Sequence, residues 1–269
     1  MSSNKDSNVR TIVVAFVLCL VCSILVSVAA IAMKPQQTKN IETDRNKNIL
    51  MAANLFDPTK DSVDDVQTRF QNVEVRLIDM QKGTFATDEE LKSANINDVN
   101  TYDVVKASKD TSTNIDLKGN DPARVGALPK YAKVYLLNDE QGNLKNVILP
   151  INGYGLWGQI YGFLTLKNDI NTIEGISFYQ HKETPGLGAL IEEPKWRALW
   201  TDKKAYDDSG KVVTGVVKSG SPKPTPNYVD GITGASITSS GVNNMIQFWL
   251  GERGYKPFLD NLRNTKQGG

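Results

Sequence analysis

An uncharged apolar run near the N-terminus is the feature that most limits how this chain can fold. Residues 11–33 read TIVVAFVLCLVCSILVSVAAIAM and contain no charged side chain. A helix needs about 20 apolar residues to cross a hydrocarbon layer about 30 Å thick. The run is longer than the ~7–15 residues of a typical signal-peptide core, so it predicts a retained transmembrane helix. The alternative is a cleavable signal peptide, with Lys5 and Arg10 as its basic flank and a cleavage site near Ala29.

The charges that flank the run give little information about its orientation. Two basic residues precede it and four follow it: Lys5, Arg10, Lys34, Lys39, Arg45 and Lys47. Counted alone, these charges would place the large C-terminal part of the chain in the cytoplasm. That count applies to short loops, whereas a long following domain can cross the membrane largely regardless of its charge. The charges therefore leave the orientation open.

Composition excludes several classes of function. The 269-residue chain has 31 basic and 30 acidic side chains, and this balance gives no overall field that would attract nucleic acid. Both cysteines, Cys19 and Cys22, lie in the apolar run, and His181 is the only histidine. The rest of the chain therefore has no cysteine nucleophile and no iron–sulfur or zinc–thiolate site, and little histidine chemistry. Any redox function would need a bound organic cofactor.

The chain after the apolar run begins with a polar part. Residues 34–130 are rich in Asn, Asp, Lys and Thr, and we interpret them as a stalk or docking region. Within this part, Ser62 is positioned to cap a helix that ends near residue 72. Residues 73–80 alternate apolar and polar side chains, as a half-buried strand does.

Residues 131–269 are predicted to form the main domain. Strands are predicted at residues 134–137, 147–151, 159–166, 173–179 and 211–217. Pro194 is placed to open a short helix, and the apolar side chains of residues 242–250 recur at helical spacing in the predicted last helix. Strands followed by helices indicate an α+β fold. We therefore expect a single transmembrane helix and then a mixed or antiparallel sheet with packed helices.

A loop rich in glycine and hydroxyl side chains precedes that last helix. Residues 230–241 read DGITGASITSSG. Free N–H groups and the positive end of the helix dipole stabilise an anion at a helix start, so the loop is typical of a phosphate site. Taken alone, it has a simpler interpretation, in which its hydroxyls cap the helix and its glycines form a turn.

The string D-G-I-T-G-A-S resembles the flavinylation motif of a family of FMN-binding domains. The family comprises the C subunit of the Na+-translocating NADH:quinone reductase and the G subunit of Rnf-type complexes. In it, a flavin transferase esterifies one FMN, through its phosphate, to the hydroxyl that follows Gly-Ala. The resemblance assigns this bond to Ser236, where the family usually has threonine, and leaves Thr238 as an alternative acceptor. The residues that it places at the cofactor in this loop are Asp230, Thr233, Gly234, Ala235, Ser236 and Thr238.

Two further segments extend the resemblance. Residues 153–157, GYGLW, and residues 183–188, ETPGLG, match family segments that lie beside the flavin. The cofactor-binding residues that they add are Trp157, Glu183, Thr184, Gly186, Leu187 and Gly188. His181 lies just before the second segment, and we expect no redox role for it. Three motifs in the same order and at the same separations make the resemblance specific.

The resemblance implies a membrane-anchored flavoprotein of a bacterial inner membrane. Its FMN would relay electrons from NADH toward ubiquinone, coupled to Na+ export, in a complex whose other subunits bind NADH, quinone and sodium. It implies that residues 1–10 form a cytoplasmic tail and that the FMN-binding domain is periplasmic. The implied partners are the other subunits, the flavin transferase and membrane lipid, and neither a metal site nor catalysis by the chain alone is expected.

Three alternatives remain open at this point. The G subunit of an Rnf-type complex would share both the motif and the reaction class. A membrane-anchored binding or assembly protein would have no redox role, and its hydroxyl-rich loop would only cap a helix. A stand-alone flavoenzyme would turn over substrate without other subunits.

Overall fold

A long N-terminal helix contains the apolar run. The computed structural model describes residues 4–267, so residues 1–3 of the predicted tail and residues 268–269 of the predicted domain lie outside the described residues. Helix α1 spans Asn4–Ala52, and the apolar side chains of its run are exposed. In the part of the chain that the structure describes, α1 is the one helix long and apolar enough to cross a membrane. This finding fits a single-pass membrane anchor.

The chain divides into two compact units, Met1–Asp44 and Arg45–Gly269. The second unit contains the end of α1 and the elements that follow. Its helices are α2 (Val63–Phe70), α3 (Asp88–Ser93), α4 (Val104–Lys109), α5 (Pro194–Arg197), α6 (Ser236–Trp249) and α7 (Lys256–Gln267). Its strands are β1 (Val73–Asp79), β2 (Thr84–Phe85), β3 (Ile115–Asp116), β4 (Ala127–Leu128), β5 (Tyr131–Asn138), β6 (Leu144–Tyr154), β7 (Gln159–Lys167), β8 (Ile173–Gln180), β9 (Gly215–Val217) and β10 (Tyr228–Asp230).

The second unit is built on one six-stranded sheet. The strand order is β2-β1-β5-β6-β7-β8, and each neighbouring pair is antiparallel. Two smaller pairs accompany it, the antiparallel β3 and β4 and the parallel β9 and β10. The predicted α+β fold with a mixed or antiparallel sheet and packed helices is therefore confirmed.

Alternating side chains give the large sheet two apolar faces. On β5, Val134 and Leu136 pack into the core cluster that contains α6, whereas Tyr135 and Leu137 pack into a second cluster that contains the end of α1. This second cluster holds Ile49, which is fully buried. Burial on both faces explains why seven consecutive residues of β5 are buried.

Two side chains of α6 hold it in place. The indole Nε1 of Trp249 donates to the carbonyl of Asn152 on β6 at 2.7 Å, and the side-chain oxygen of Asn243 accepts the N–H of Val216 on β9 at 3.0 Å. The apolar spacing that predicted this helix corresponds to its buried face, which includes Val242. Because α6 is fixed at its end and along its length, the position of its first turn is also fixed.

The boundary of the folded unit differs from the sequence-based expectation. Composition predicts a stalk or docking region over residues 34–130, but β1 lies inside the large sheet and pairs with β5 from Val73–Leu137 to Asp79–Tyr131. The end of α1 packs on the same sheet, so the compact unit begins at Arg45. The sequence did not indicate that β1 belongs to the sheet, because the loops around it are rich in Asn and Asp. A polar composition does not show which strands pair with each other.

The C-terminal end of the chain also differs from the prediction. The sequence predicts that α6 is the last helix, but α7 follows it within a few residues. The side chains of Phe258 and Leu259 on α7 are buried in the core. The capping role predicted for Ser62 is confirmed, since its side chain accepts the N–H of Asp65 at the start of α2.

Candidate functional site

The first turn of α6 presents Ser236 to solvent. The helix begins at Ser236, and the capping position is occupied by Ala235. Among the described residues no side chain caps this helix, since alanine has no polar side-chain atom. The first N–H groups of a helix have no acceptor within it. The first N–H to bond back is that of Ser239, to the carbonyl of Ala235 at 2.9 Å. The exposed Ser236 hydroxyl therefore stands beside donors that the helix leaves without a partner.

The turn before Ser236 needs glycine at one position. Gly234 has a φ of 80°, a left-handed conformation that other residues rarely adopt. A Cβ atom at this position would lie 3.2 Å from Cδ2 of Leu187, so the turn also approaches the 183–188 segment closely. Gly234 thus lets the chain enter the helix while keeping two of the predicted segments in contact.

The polar side chains at the start of the loop are held by neighbours. The Thr233 hydroxyl lies 2.8 Å from that of Ser219, and the Asp230 carboxylate forms an ion pair with Lys223 at 2.8 Å. The carbonyl of Asp230 accepts the indole N–H of Trp196 at 2.9 Å. Asp230 and Thr233 therefore shape the loop that ends at Ser236.

Thr238, the alternative acceptor, has a different environment from Ser236. Its side chain is 1% exposed, and its hydroxyl donates to Oε2 of Glu183. An acceptor hydroxyl must be reached by the flavin phosphate, and Ser236 is exposed whereas Thr238 is buried. Of the two hydroxyls, that of Ser236 is therefore the accessible one.

The carboxylate of Glu183 joins the three predicted segments. Its Oε1 accepts the backbone N–H groups of Leu156 and Trp157, each at 3.0 Å, and its Oε2 accepts from Thr238. The side chain is 5% exposed. The structure thus brings together the 153–157 segment, the 183–188 segment and the start of α6, although up to 55 residues separate the bonded pairs along the chain.

Four large apolar side chains around this point are exposed. We call them the apolar rim: Leu156, Trp157, Leu187 and Ile237, with 42%, 60%, 44% and 60% of their surface exposed. The indole N–H of Trp157 donates to the hydroxyl of Thr184 at 3.2 Å, which limits its rotation. An exposed apolar patch beside a polar group is typical of a ligand site.

The remaining predicted residues of the 183–188 segment have structural positions. Gly186 has a φ of 74° in an exposed turn, and Gly188 packs against the Glu183 carboxylate and the Thr238 hydroxyl. Nδ1 of His181 accepts the N–H of Glu183 at 3.1 Å, and its Nε2 lies 2.9 Å from a carboxylate oxygen of Glu192. His181 therefore supports the backbone at the start of the segment.

Sequence reasoning missed Leu156 and Ile237 in the apolar rim and Ser219 and Lys223 beside the loop. The sequence did contain a signal for Ile237. It is an apolar residue between two hydroxyl residues, and it precedes the apolar positions that form the buried face of the helix. Ser219 and Lys223 carried none, since only the parallel pairing of β9 with β10 brings them to the loop.

Comparison with known proteins identifies the family. A family model described as an FMN-binding domain matches residues 155–251, which include most of the three segments. The C subunit of the Na+-translocating NADH-quinone reductase of Pseudomonas aeruginosa is 42% identical over 97% of this chain and 98% of its own length. The chain belongs to the family of the C subunit of this reductase. The corresponding C subunit of Yersinia pestis is 40% identical over 97% of this chain and 95% of its own length.

Solved structures of the same family have the same fold. The crystal structure of NqrC from Shewanella oneidensis matches with a TM-score of 0.72 and 31% identity, covering 82% of this chain and 98% of that one. The crystal structure of the C subunit from Parabacteroides distasonis matches with a TM-score of 0.64 and 29% identity, covering 84% and 96%. As a member of this family, the chain is one part of a multi-subunit enzyme and contains an FMN-binding domain. The family inferred from the motifs is confirmed, and the Rnf-type alternative is not favoured.

Proposed function

We propose that this chain carries one FMN, esterified through its phosphate to Ser236, and relays electrons from NADH toward ubiquinone in a reaction coupled to Na+ export. The observation that carries the proposal is the exposed Ser236 hydroxyl at a helix start that none of the described side chains caps. FMN supplies electron-transfer chemistry when bound. The residues of the chain bind and orient it.

The start of α6 suits the phosphate group. A phosphodiester on Ser236 keeps a negative charge, and the unpaired N–H groups and the positive end of the helix dipole stabilise such a charge. Each interaction of this kind contributes roughly 0.3–1 kcal/mol. Thr233, Gly234 and Ser236 are exposed, so a flavin transferase has access to the acceptor from outside the fold.

The apolar rim suits the flat ring system. Trp157 and Leu187 offer apolar surface within reach of Ser236, because Leu187 approaches Gly234 and Trp157 is bonded to Thr184 of the same segment. A ring placed there would cover apolar side chains that are otherwise in contact with water. We therefore propose that Trp157, Thr184 and Leu187 line one side of the flavin.

Mass spectrometry of the peptide that contains Ser236, prepared from the purified complex, tests the attachment. The expected result is a peptide heavier by FMN less one water, with fragment ions that place the added mass on Ser236. Added mass on Thr238 would move the bond by two residues. An unmodified peptide from a colourless complex would contradict the proposal and favour a binding or assembly role without redox chemistry.

Replacing Trp157 with alanine is expected to change the flavin without detaching it. The substitution removes the most exposed aromatic surface of the rim, so the flavin fluorescence or its midpoint potential should shift while Ser236 still carries FMN. Leu199→Ala is the control, because Leu199 is 43% exposed but lies outside the three segments. A folded Trp157→Ala variant with wild-type fluorescence and potential would remove Trp157 from the flavin site.

The FMN-binding domain is proposed to be periplasmic, with the apolar run of α1, residues 11–33, embedded in membrane lipid. Alkaline phosphatase fused after Gly269 should then be active in cells, whereas a reporter that matures only in the cytoplasm should be inactive there. Fusions after Arg10 are the control and should behave in the opposite way. Activity of the cytoplasmic reporter at the C-terminus would reverse the proposed orientation.

A further inference from the structure

Both carboxylate oxygens of Glu183 accept hydrogen bonds from other groups of the protein. Oε1 receives two backbone N–H groups and Oε2 receives the hydroxyl of Thr238. A buried carboxylate is stable only when it is hydrogen-bonded, and three donors satisfy that requirement. The side chain is 5% exposed, so little of it is open to a ligand. These contacts suit a structural link more than a direct contact with the flavin ring.

The backbone closes around this carboxylate. A Cβ atom at Gly155 would lie 2.5 Å from Oε1, and a Cβ atom at Gly188 would lie 2.6 Å from Oε2 and 2.6 Å from the Thr238 hydroxyl. A side chain at either position would therefore displace the carboxylate or its partner, because real Cβ atoms do not approach so closely. The 153–157 and 183–188 segments are packed around one side chain.

We infer that Glu183 is a positioning residue, which holds Trp157 and the first turn of α6 in the geometry that the flavin needs. We define the Glu183 clamp as the Glu183 carboxylate, the N–H groups of Leu156 and Trp157, and the Thr238 hydroxyl. The clamp acts on the proposed FMN site and rests on that proposed function. It assigns Thr238 to the support of the site, and it leaves the N–H groups of the α6 start free for a phosphate.

The clamp explains how an exposed tryptophan is kept in one place. Trp157 is 60% exposed, yet its backbone N–H is bonded to Glu183 and its indole N–H to Thr184. Both partners belong to the 183–188 segment. The ring surface is therefore positioned before any flavin arrives, which reduces the ordering cost of binding.

Hydrogen exchange of the full-length chain in detergent tests the clamp without relying on flavin. In the Ser236→Ala background, Glu183→Ala should make the peptide that contains Leu156 and Trp157 exchange on the order of tenfold faster, because their acceptor is lost. Glu183→Gln keeps an acceptor oxygen and should stay near the parent rate. Glu140→Ala is the control, since Glu140 is exposed in the β5–β6 turn. Unchanged exchange in a folded Glu183→Ala protein would overturn the inference.

Thr238 provides a second, independent test. Thr238→Val keeps the volume but removes the donor. The N–H of Ser239, which bonds to the carbonyl of Ala235, and the bonded N–H groups of the 153–157 segment should then exchange faster, whereas Thr238→Ser should retain the parent rates. If neither peptide responds to Thr238→Val, the clamp is wrong, even where Glu183→Ala does not fold. Attachment of FMN at Thr238 would contradict both the proposed function and the clamp, because an esterified Thr238 has no hydroxyl to donate to Glu183. Absence of covalent FMN would contradict the proposed function but would leave these exchange results unaffected.

Discussion

The variant Ser236→Ala is expected to be folded, inserted in the membrane and without covalent FMN. Ser236 is exposed and makes no capping bond, so its replacement should change the free energy of unfolding by no more than about 0.5 kcal/mol. The hydroxyl is nevertheless the proposed ester oxygen, and no flavin can be attached without it. Fluorescence of the denatured band on a gel measures covalent flavin directly, and we expect complete loss of that signal.

Two substitutions serve as controls for this result. Ser236→Thr keeps a hydroxyl at the same position and should retain the flavin. Ser240→Ala removes an exposed hydroxyl from the next part of the same helix and should leave the flavin signal unchanged. Covalent FMN in Ser236→Ala, together with its loss in Thr238→Ala, would place the bond on Thr238 instead.

A fragment that begins at residue 131 is expected not to fold. It lacks β1, which pairs with β5 over seven residue pairs, and it lacks Ile49, Leu50 and Val66 of the second core cluster. Full burial of one such side chain contributes roughly 1.5–3 kcal/mol. Loss of several of them exceeds much of the roughly 5–15 kcal/mol by which a typical domain is stable. Thermal unfolding followed by circular dichroism should therefore show no cooperative transition.

The matched control for the truncation is the fragment of residues 45–269. It contains the whole compact unit and should unfold cooperatively. A cooperative transition in the 131–269 fragment would mean that the sheet is stable without β1, and the shorter boundary expected from composition would then be adequate.

The positions of five strands of the large sheet could be read from the sequence, but the pairing of β1 with β5 could not. Alternation of apolar and polar side chains located β1 and β8, because period-two patterns reflect burial on one face. The pairing of β1 with β5 joins residues far apart in the chain, and no local pattern encodes it. Because polar loops lie between these strands, composition predicts a boundary at residue 131, whereas the compact unit begins at Arg45.

The candidate site was predictable as a set of motifs, and its internal arrangement was not. The hydroxyl-rich loop marked Ser236, and the resemblance added the segments that contain Trp157 and Glu183. The sequence leaves Ser236 and Thr238 as alternative acceptors, and the difference in their exposure supports our proposal of Ser236. The link through Glu183 depends on hydrogen bonds from its carboxylate to the backbone of the 153–157 segment and to the side chain of Thr238. These groups are far apart in the sequence, so the contacts exist only in the folded chain.

The close packing around Glu183 sets a condition for protein engineers who would graft the proposed attachment loop onto another scaffold. A transplant of residues 230–241 alone would carry the hydroxyl and the turn but none of the backbone that surrounds the carboxylate. The glycines at positions 155 and 188 would have to be transferred with the loop. Their positions would have to be kept as well, because Gly155 lies close to Oε1 of Glu183 and Gly188 lies close to Oε2. A transplant of the proposed attachment site would therefore need three separate segments of the chain, which meet at the carboxylate of Glu183.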